Sequence, residues 1–195
     1  MSALTQVKLQ SILAGATPSA LPDLPLVAKN IQPKTYAAGD SIFEQGTEHP
    51  YLYGVTTGLI KLIYLDRNGK EWIKSFVPES GFFASLSALQ SKGMTSFSAV
   101  ALEPSTLERL DYRVLLDHAK QSSAWAEVAL NLTLTYAAKK EERERELLTL
   151  SPQQRYIAFC QRSPQLVHRI PQKDLARHLG VTPVGLNRII QRLKN

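Results

Sequence analysis

The side chains best suited to specific chemistry lie near the end of the sequence, between Thr182 and Asn195. A helical repeat there gives an inner face of Leu186, Ile189, Ile190 and Leu193. Its outer face carries Val184, Gly185, Asn187, Arg188, Gln191 and Arg192. In the major groove of DNA, an arginine can pair with guanine and an asparagine with adenine. The outer face has no bulky apolar group, so it is typical of a helix that enters this groove.

Two features just upstream would position this helix. The stretch Gln172–Leu179 has a helical pattern, and its Ala176 is small enough for a second helix to cross closely. Gly180 suits the left-handed residue that ends a helix, and Thr182 followed by Pro183 is a typical start of the next one. Two short helices joined by such a turn form a helix-turn-helix. On turn chemistry alone, a helical hairpin that only packs is an equal alternative.

The distribution of charge favours a nucleic-acid partner for this segment. The 195-residue chain has a formal net charge of +6. Residues 151–195 carry eight Lys and Arg against one acid, Asp174, which gives this segment a net charge of +7. Residues 1–121 are neutral, and residues 122–150 have a net charge of −1. An excess of positive charge in a small segment with helical periodicity is typical of a DNA-binding module.

The pattern further upstream changes from strands to a long helix. From Ile31 to Tyr112, short alternating runs punctuated by glycine predict an antiparallel barrel or sandwich. Its clearest hairpin joins Leu59–Leu65 to Glu71–Val77, and Asn68-Gly69 predicts a type I′ turn. Residues 122–150 contain no glycine and predict a helix about 28 residues and roughly 42 Å long. We interpret its apolar stripe as a contact with a second copy: Trp125, Val128, Ala129, Leu132 and Tyr136.

Several other classes of protein find no support in the composition. The single cysteine, Cys160, excludes a disulfide framework and a four-cysteine iron–sulfur cluster. No apolar run reaches the roughly 20 residues of a membrane span, and no secretory signal is evident, so we expect a cytoplasmic protein without a membrane partner. Only His49 and His118 lie in or near the predicted barrel, too few for a typical metal site. We therefore expect no catalytic residue, no metal and no cofactor, and a protein that is not an enzyme.

Three motifs, in this order, resemble parts of one known family. Residues Tyr36–Gly46 and Tyr53–Gly58 are similar to a cyclic-nucleotide-binding β-roll, a long helix follows, and Ile170–Ile189 is similar to a helix-turn-helix signature. Over most of its length, the sequence thus resembles the Crp/Fnr family of bacterial transcription regulators. The resemblance implies an α+β fold in three parts. These are an antiparallel β-roll or jelly roll (residues 1–121), a connecting and dimerisation helix (122–150), and an all-α helix-turn-helix DNA-binding domain (151–195).

The same resemblance implies a homodimer that reads a pseudo-palindrome in double-stranded DNA, and it makes RNA polymerase a candidate partner. By position, Arg188 corresponds to a base-reading residue of the family. Val184 replaces a polar base-reading residue, so we expect it to contact thymine methyl groups. The sequence ends at Asn195, and we expect no β-hairpin wing after the last helix. The predicted DNA contacts are Gln172, Lys173, Thr182, Val184, Asn187, Arg188, Gln191 and Arg192.

The stretch that matches the effector pocket of the family departs from its pattern. That pocket needs an acid for the ribose and an arginine for the cyclic phosphate, whereas residues 81–98 contain neither Glu nor Arg. A buried phosphate without a cation is poorly compensated, so we expect no cyclic nucleotide to bind. The residues that would line the pocket are Phe83, Ser85, Leu86, Thr95 and Ser96. Three alternatives stay open: a β-roll that binds a nucleotide or another small-molecule effector, a haem sensor, and a metal-dependent barrel enzyme.

Overall fold

The computed structural model describes residues 8–90 and 92–194, which form two short helices, two antiparallel sheets and then five longer or shorter helices. One sheet has the strand order β1-β8-β3-β6 and the other β2-β7-β4-β5. The strands are β1 Gln32–Tyr36, β2 Ser41–Phe43, β3 Tyr51–Thr57, β4 Ile60–Leu65, β5 Glu71–Val77, β6 Phe82–Phe83, β7 Ser98–Ala101 and β8 Ser105–Asp111. The helices are α1 Leu9–Gly15, α2 Leu24–Ala28, α3 Tyr112–Gln121, α4 Ser123–Thr149, α5 Pro152–Arg162, α6 Gln172–His178 and α7 Pro183–Lys194, with a 3-10 turn at Pro164–Leu166. The predicted fold class is confirmed.

The two sheets enclose one apolar core, because alternate residues of each strand point inward. Tyr53 and Phe83 have no exposed surface, and their rings stack with centroids 5.1 Å apart. Phe43 and Phe97 complete this aromatic group, with centroids 5.5 Å apart. The eight strands and this shared core form the β-roll, a name used below for residues 32–111.

The β4–β5 hairpin is confirmed, but its predicted turn type is wrong. Only Gly69 has a positive φ, of +72°, whereas a type I′ turn requires one at Asn68 as well. The Gly69 N–H donates to the carbonyl of Asp66 over 3.0 Å. The Asp66 carboxylate also accepts hydrogen bonds from the N–H groups of Asn68 and Lys70. These side-chain contacts hold Asn68 out of the left-handed region that its type can tolerate.

The long helix is confirmed as α4, but its apolar stripe packs inside the chain. Trp125 and Val128 have no exposed surface, and Leu132 is 8% exposed. They share a cluster with residues of α1, α3 and the β-roll, and Ala129 packs against it. The Tyr136 hydroxyl accepts a hydrogen bond from Lys74 of β5. The prediction that this stripe contacts a second copy is therefore corrected, because helical periodicity shows that a face is covered and not what covers it.

The C-terminal helices begin with a well-defined cap. The Ser151 hydroxyl accepts a hydrogen bond from the Gln154 N–H, and the Gln154 side chain accepts one from the Ser151 N–H. This reciprocal pair is a capping box, and Pro152 occupies the first turn, where a missing N–H has no cost. The predicted boundaries at residues 121 and 150 fall between helices, and the division into separate domains stays a prediction.

Candidate nucleic-acid interface

The turn between α6 and α7 has helix-turn-helix geometry. Gly180 has a φ of +70°, a left-handed conformation in which most side chains are strained. The Val181 N–H donates to the carbonyl of Ala176 over 3.0 Å, which turns the chain back across the end of α6. The Thr182 hydroxyl accepts a hydrogen bond from the Gly185 N–H at 3.0 Å and so caps α7. The predicted turn and cap are both confirmed.

Buried contacts hold α7 against α6 over its first two turns. Leu186 and Ala176 have no exposed surface, and Ile190 packs against the same cluster. Ile189 is half-buried. Leu193, predicted on the inner face, is instead 42% exposed, because nothing packs over the last turn of α7 in the described part of the chain. The first two turns of α7 are therefore more firmly packed than its last turn.

The outward side of this unit carries the predicted contact residues. Val184 is 63% exposed, although it is apolar, and Arg188 lies one turn further along α7 on the same side. All eight predicted side chains are exposed: Gln172, Lys173, Thr182, Val184, Asn187, Arg188, Gln191 and Arg192. The geometry thus presents hydrogen-bond donors and acceptors together with one apolar group on a side of α6 and α7 that no described element covers.

Half of the basic residues of 151–195 lie on the inward side of the segment, where they contact α4 and the β-roll. Arg155 donates to two carbonyls at the end of α4, each at 3.1 Å. Arg162 pairs with two carboxylates of α4, whereas Arg169 and Arg177 pair with carboxylates of the β-roll and the loops between its strands. The other four basic residues of this segment, Lys173, Arg188, Arg192 and Lys194, form no ion pair with the described residues. Within residues 151–194, the positive charge available to a polyanion thus lies on the outward side.

A buried histidine lies at the junction of α6 with the β-roll. The ring of His178 lies between Phe76 of β5 and Phe159 of α5, with centroid distances of 5.2 and 5.6 Å. Its backbone carbonyl accepts a hydrogen bond from Arg143 of α4. Burial, and then the nearby charge of Arg143, lower the pKa of His178 to about 3. The imidazole is therefore neutral near pH 7 and belongs to the packing of the junction.

The predicted effector-pocket residues bond to one another and to the backbone. Phe83 is stacked on Tyr53 inside the core. The Ser85 hydroxyl accepts a hydrogen bond from the Ser96 N–H at 3.0 Å. The Thr95 hydroxyl donates to a carbonyl of the loop after β2 at 2.6 Å and accepts an N–H from the same loop at 3.0 Å. The Ser85 and Thr95 hydroxyls are thus hydrogen-bonded within the chain, whereas Ser96 is exposed.

The space between the β-roll and α4 is small and apolar. A cavity of about 20 Å³ there is lined by Leu86, Leu132, Tyr136 and other mainly apolar side chains. This volume suits roughly one water molecule. Beside it, the Lys74 ammonium contacts the Tyr136 hydroxyl at 2.6 Å and lies 4.8 Å from the centre of the Phe97 ring. Burial lowers the pKa of Lys74 to about 8.

In the part of the chain that the structure describes, no group of three or more His, Cys, Asp or Glu side chains is placed to hold a metal ion. Within the same residues, no helix combines the length and apolar character needed to cross a membrane.

The β-roll, the long helix and the helix-turn-helix follow one another in the same order as in Crp/Fnr structures. Residues 33–122 match the family described as the cyclic nucleotide-binding domain. Crp/Fnr regulators are a non-enzymatic class.

Similar proteins and similar structures cover most of the chain. The nitrogen fixation regulation protein FixK of Rhizobium meliloti (strain 1021) is 27% identical over 170 residues, which cover 82% of this chain and 74% of FixK. The structure of FixK2 from Bradyrhizobium japonicum superposes with a TM-score of 0.69 at 19% identity and covers 84% of each chain. The Thermus thermophilus catabolite activator protein has a TM-score of 0.57 at 24% identity, over 94% of this chain and 86% of its own. These findings confirm the resemblance to the Crp/Fnr family.

Proposed function

We propose that the protein is a cytoplasmic, homodimeric transcription regulator that binds a specific DNA sequence and does not bind a cyclic nucleotide. RNA polymerase would be its partner at a promoter. One observation carries the proposal. The exposed side of the helix-turn-helix has eight side chains suited to bases and phosphates, while its buried side is occupied by the rest of the chain.

The charges of this unit support DNA as the ligand. Lys173, Arg188, Arg192 and Lys194 have no carboxylate partner among the described residues, and all four are exposed. Cations of this kind contribute most of the affinity for a phosphate backbone. Arg188 and Asn187 lie where a helix in the major groove would present them to base edges. The remaining predicted contacts surround these two residues.

The outward face of α4 supports the dimer. Leu130 and Leu134 are 57% and 55% exposed, and their spacing of four residues places them on one side of the helix. The inward stripe of α4 already packs on the β-roll. A second copy of α4 would bury these two leucines in a helix pair, which is how exposed apolar helix faces are usually covered. This face replaces the predicted stripe in the proposed dimer.

The polar groups of the effector region support the absence of a nucleotide site. Ser85, Thr95 and Ser96 hydrogen-bond to one another or to the backbone, and the cavity beside Leu86 has room for roughly one water molecule. A nucleotide would also need a cation for its phosphate. Lys74, a half-buried cation beside this cavity, instead lies over the rings of Phe97 and Tyr136.

Selection from a random pool of duplex DNA tests the DNA-binding proposal. We expect the full-length chain to enrich a pseudo-palindromic motif, because each protomer presents one recognition helix. The Arg188→Ala variant, selected in parallel, should relax the preference at one position of each half-site. Enrichment of no motif would contradict DNA recognition, and a motif with a single half-site would contradict the dimer.

The match of residues 33–122 to cyclic nucleotide-binding domains favours a second candidate, in which the β-roll binds a small-molecule effector that controls DNA binding. Thermal unfolding with cyclic AMP and with cyclic GMP separates the two candidates. We expect no saturable increase in the midpoint, because binding to the native state alone would raise it. A saturable increase would support the second candidate.

A further inference from the structure

The helix-turn-helix packs directly against the β-roll of the same chain. Leu59, immediately before β4, has no exposed surface and shares one apolar cluster with Ile170 and Leu179. Phe76 of β5 and Leu102, after β7, pack against the same cluster. The C-terminal helices therefore have a second attachment to the rest of the molecule besides their covalent link to α4.

Four alternating charges join the β4–β5 hairpin to α6. Lys61 of β4 lies 3.6 Å from Glu71 of β5 and 3.5 Å from Asp174 of α6. Arg177 of α6 lies 2.7 Å from Glu71 and 4.0 Å from Asp174. Each charge thus has two neighbours of opposite sign, and we call this set the charge quartet. The Lys61 and Asp174 side chains are only 13% and 10% exposed, so the quartet is less screened by solvent than an ordinary surface pair.

Arg169 joins the same two regions at a separate point. Its guanidinium forms hydrogen bonds with both oxygens of Glu79, at 2.8 and 3.0 Å, and also pairs with Glu103. The Gly58 N–H holds Glu79 from the other side at 3.0 Å. Gly58 has a φ of +98°, and a Cβ there would lie 2.1 Å from the Ser105 hydroxyl oxygen, so glycine is required. Planar, two-point contacts of this kind fix direction as well as distance.

The contact between the helix-turn-helix and the β-roll leaves the predicted DNA-binding side chains exposed. Gln172 and Lys173 of α6, and Val184 and Arg188 of α7, remain exposed although α6 is packed on the β-roll. A contact that blocked DNA binding would cover some of these side chains. The observed contact instead fixes the direction of α6, and α7 follows because Leu186 packs it on α6.

We propose that Lys61, Glu71, Glu79 and Glu103 are positioning residues for DNA recognition, which fix the recognition helix relative to α4 through Asp174, Arg177 and Arg169. The inference rests on the proposed dimeric DNA-binding function. In a dimer joined through α4, this orientation sets the distance between the two recognition helices. The β-roll thereby determines the half-site spacing that the protein accepts, without touching DNA. One base pair changes the rotation between half-sites by roughly a tenth of a turn, so a rigid dimer discriminates between spacings.

Exchange of charges within the quartet tests this role. The variant K61E/E71K keeps the pair between β4 and β5 but places like charges against α6. Its affinity is measured on the selected operator, on operators one base pair longer and shorter, and on a single half-site. We expect the wild type to lose about tenfold or more in affinity on the altered spacings. The variant should lose less than about threefold there, with a nearly unchanged affinity for the single half-site.

Restoration of the pattern separates positioning from simple damage. The variant K61E/E71K/D174K/R177E recreates four alternating charges, and we expect it to recover the wild-type spacing preference. R169Q breaks the other contact and should also relax spacing. The control D117K/K120D exchanges an exposed pair on α3, 2.8 Å apart, and should leave spacing unchanged. Circular dichroism of each variant verifies folding.

The outcomes distinguish this inference from the proposed function. If the wild type selects no DNA motif, the proposed function fails, and the positioning role fails with it. If the wild type discriminates between spacings and both K61E/E71K and R169Q do so equally, only the positioning role is overturned. Tighter binding by either variant would show that the contact inhibits DNA binding, which also overturns it. If the quadruple variant K61E/E71K/D174K/R177E does not recover the wild-type spacing preference, the loss in K61E/E71K comes from disrupted packing and the positioning role is overturned.

Discussion

The two sides of residues 151–195 use the same kind of side chain for different purposes. On the inward side, Arg155, Arg162, Arg169 and Arg177 hold carbonyls and carboxylates of α4 and the β-roll. The outward side carries four exposed cations without ion pairs among the described residues: Lys173, Arg188, Arg192 and Lys194. The net charge of the segment thus overstates the charge available to DNA, since about half of it supports the structure.

The largest expected difference between the two sides concerns stability. Leu186→Ala should lower the free energy of unfolding by about 2–5 kcal/mol, because this side chain has no exposed surface and its removal leaves a cavity. Val184→Ala, two residues away and 63% exposed, should change it by less than about 0.5 kcal/mol. Denaturant unfolding measures both values. Equal losses would mean that Leu186 is not packed against α6.

Base recognition should depend on the outward side alone. Arg188→Ala should weaken binding to the selected operator by about 1–3 kcal/mol and remove the preference at one base pair of each half-site. The matched control is Arg162→Ala, because Arg162 pairs with Glu142 and Glu146 of α4. It should leave base preference intact at the preferred spacing. Competition binding with single-base operator variants measures the base preference of both variants. A loss of base preference in Arg162→Ala would contradict the division of roles between the outward and inward sides.

The junction should be sensitive to pH because His178 is buried as a neutral group. Its pKa is lowered to about 3 by burial first and by Arg143 second. Above the ordinary value near 6.5, the histidine is neutral in both states and adds no pH dependence. Below it, the unfolded chain takes up a proton that the native chain excludes, so stability should fall by about 1.4 kcal/mol per pH unit.

Denaturant unfolding between pH 7 and pH 5 measures this slope, since most carboxylates titrate lower. The His178→Gln variant should show a flatter profile over the same window. An identical slope in the wild type and the variant would assign the pH dependence to other groups.

Local patterns predicted the local parts of the site well. Gly180, Thr182 and Pro183 mark the turn and the start of α7, because capping and left-handed residues have narrow chemical requirements. The long helix also follows from its period and its lack of glycine. Asn68-Gly69 shows where such rules fail, since the Asp66 carboxylate holds Asn68 in another conformation.

Contacts between distant parts of the chain could not be predicted in this way. Arg169 and Glu79 are 90 residues apart, and nothing in either local sequence marks them as partners. The isolated Asp174 was a weak signal, because one acid in a basic segment needs a reason, and Lys61 of the β-roll supplies it. The predicted dimer contact of Trp125 and Val128 was wrong for the same reason, because their actual partners lie in α1 and the β-roll.

The salt dependence of operator binding tests the division between the two sides most directly. The slope of the logarithm of the binding constant against the logarithm of salt concentration is measured for single Gln variants of the four outward and the four inward cations. Each outward variant removes one cation per protomer, so the slope should decrease in size by about 1–2 per dimer. Inward variants should leave it unchanged within about 0.5. Equal decreases for Lys173→Gln and Arg162→Gln would contradict the account.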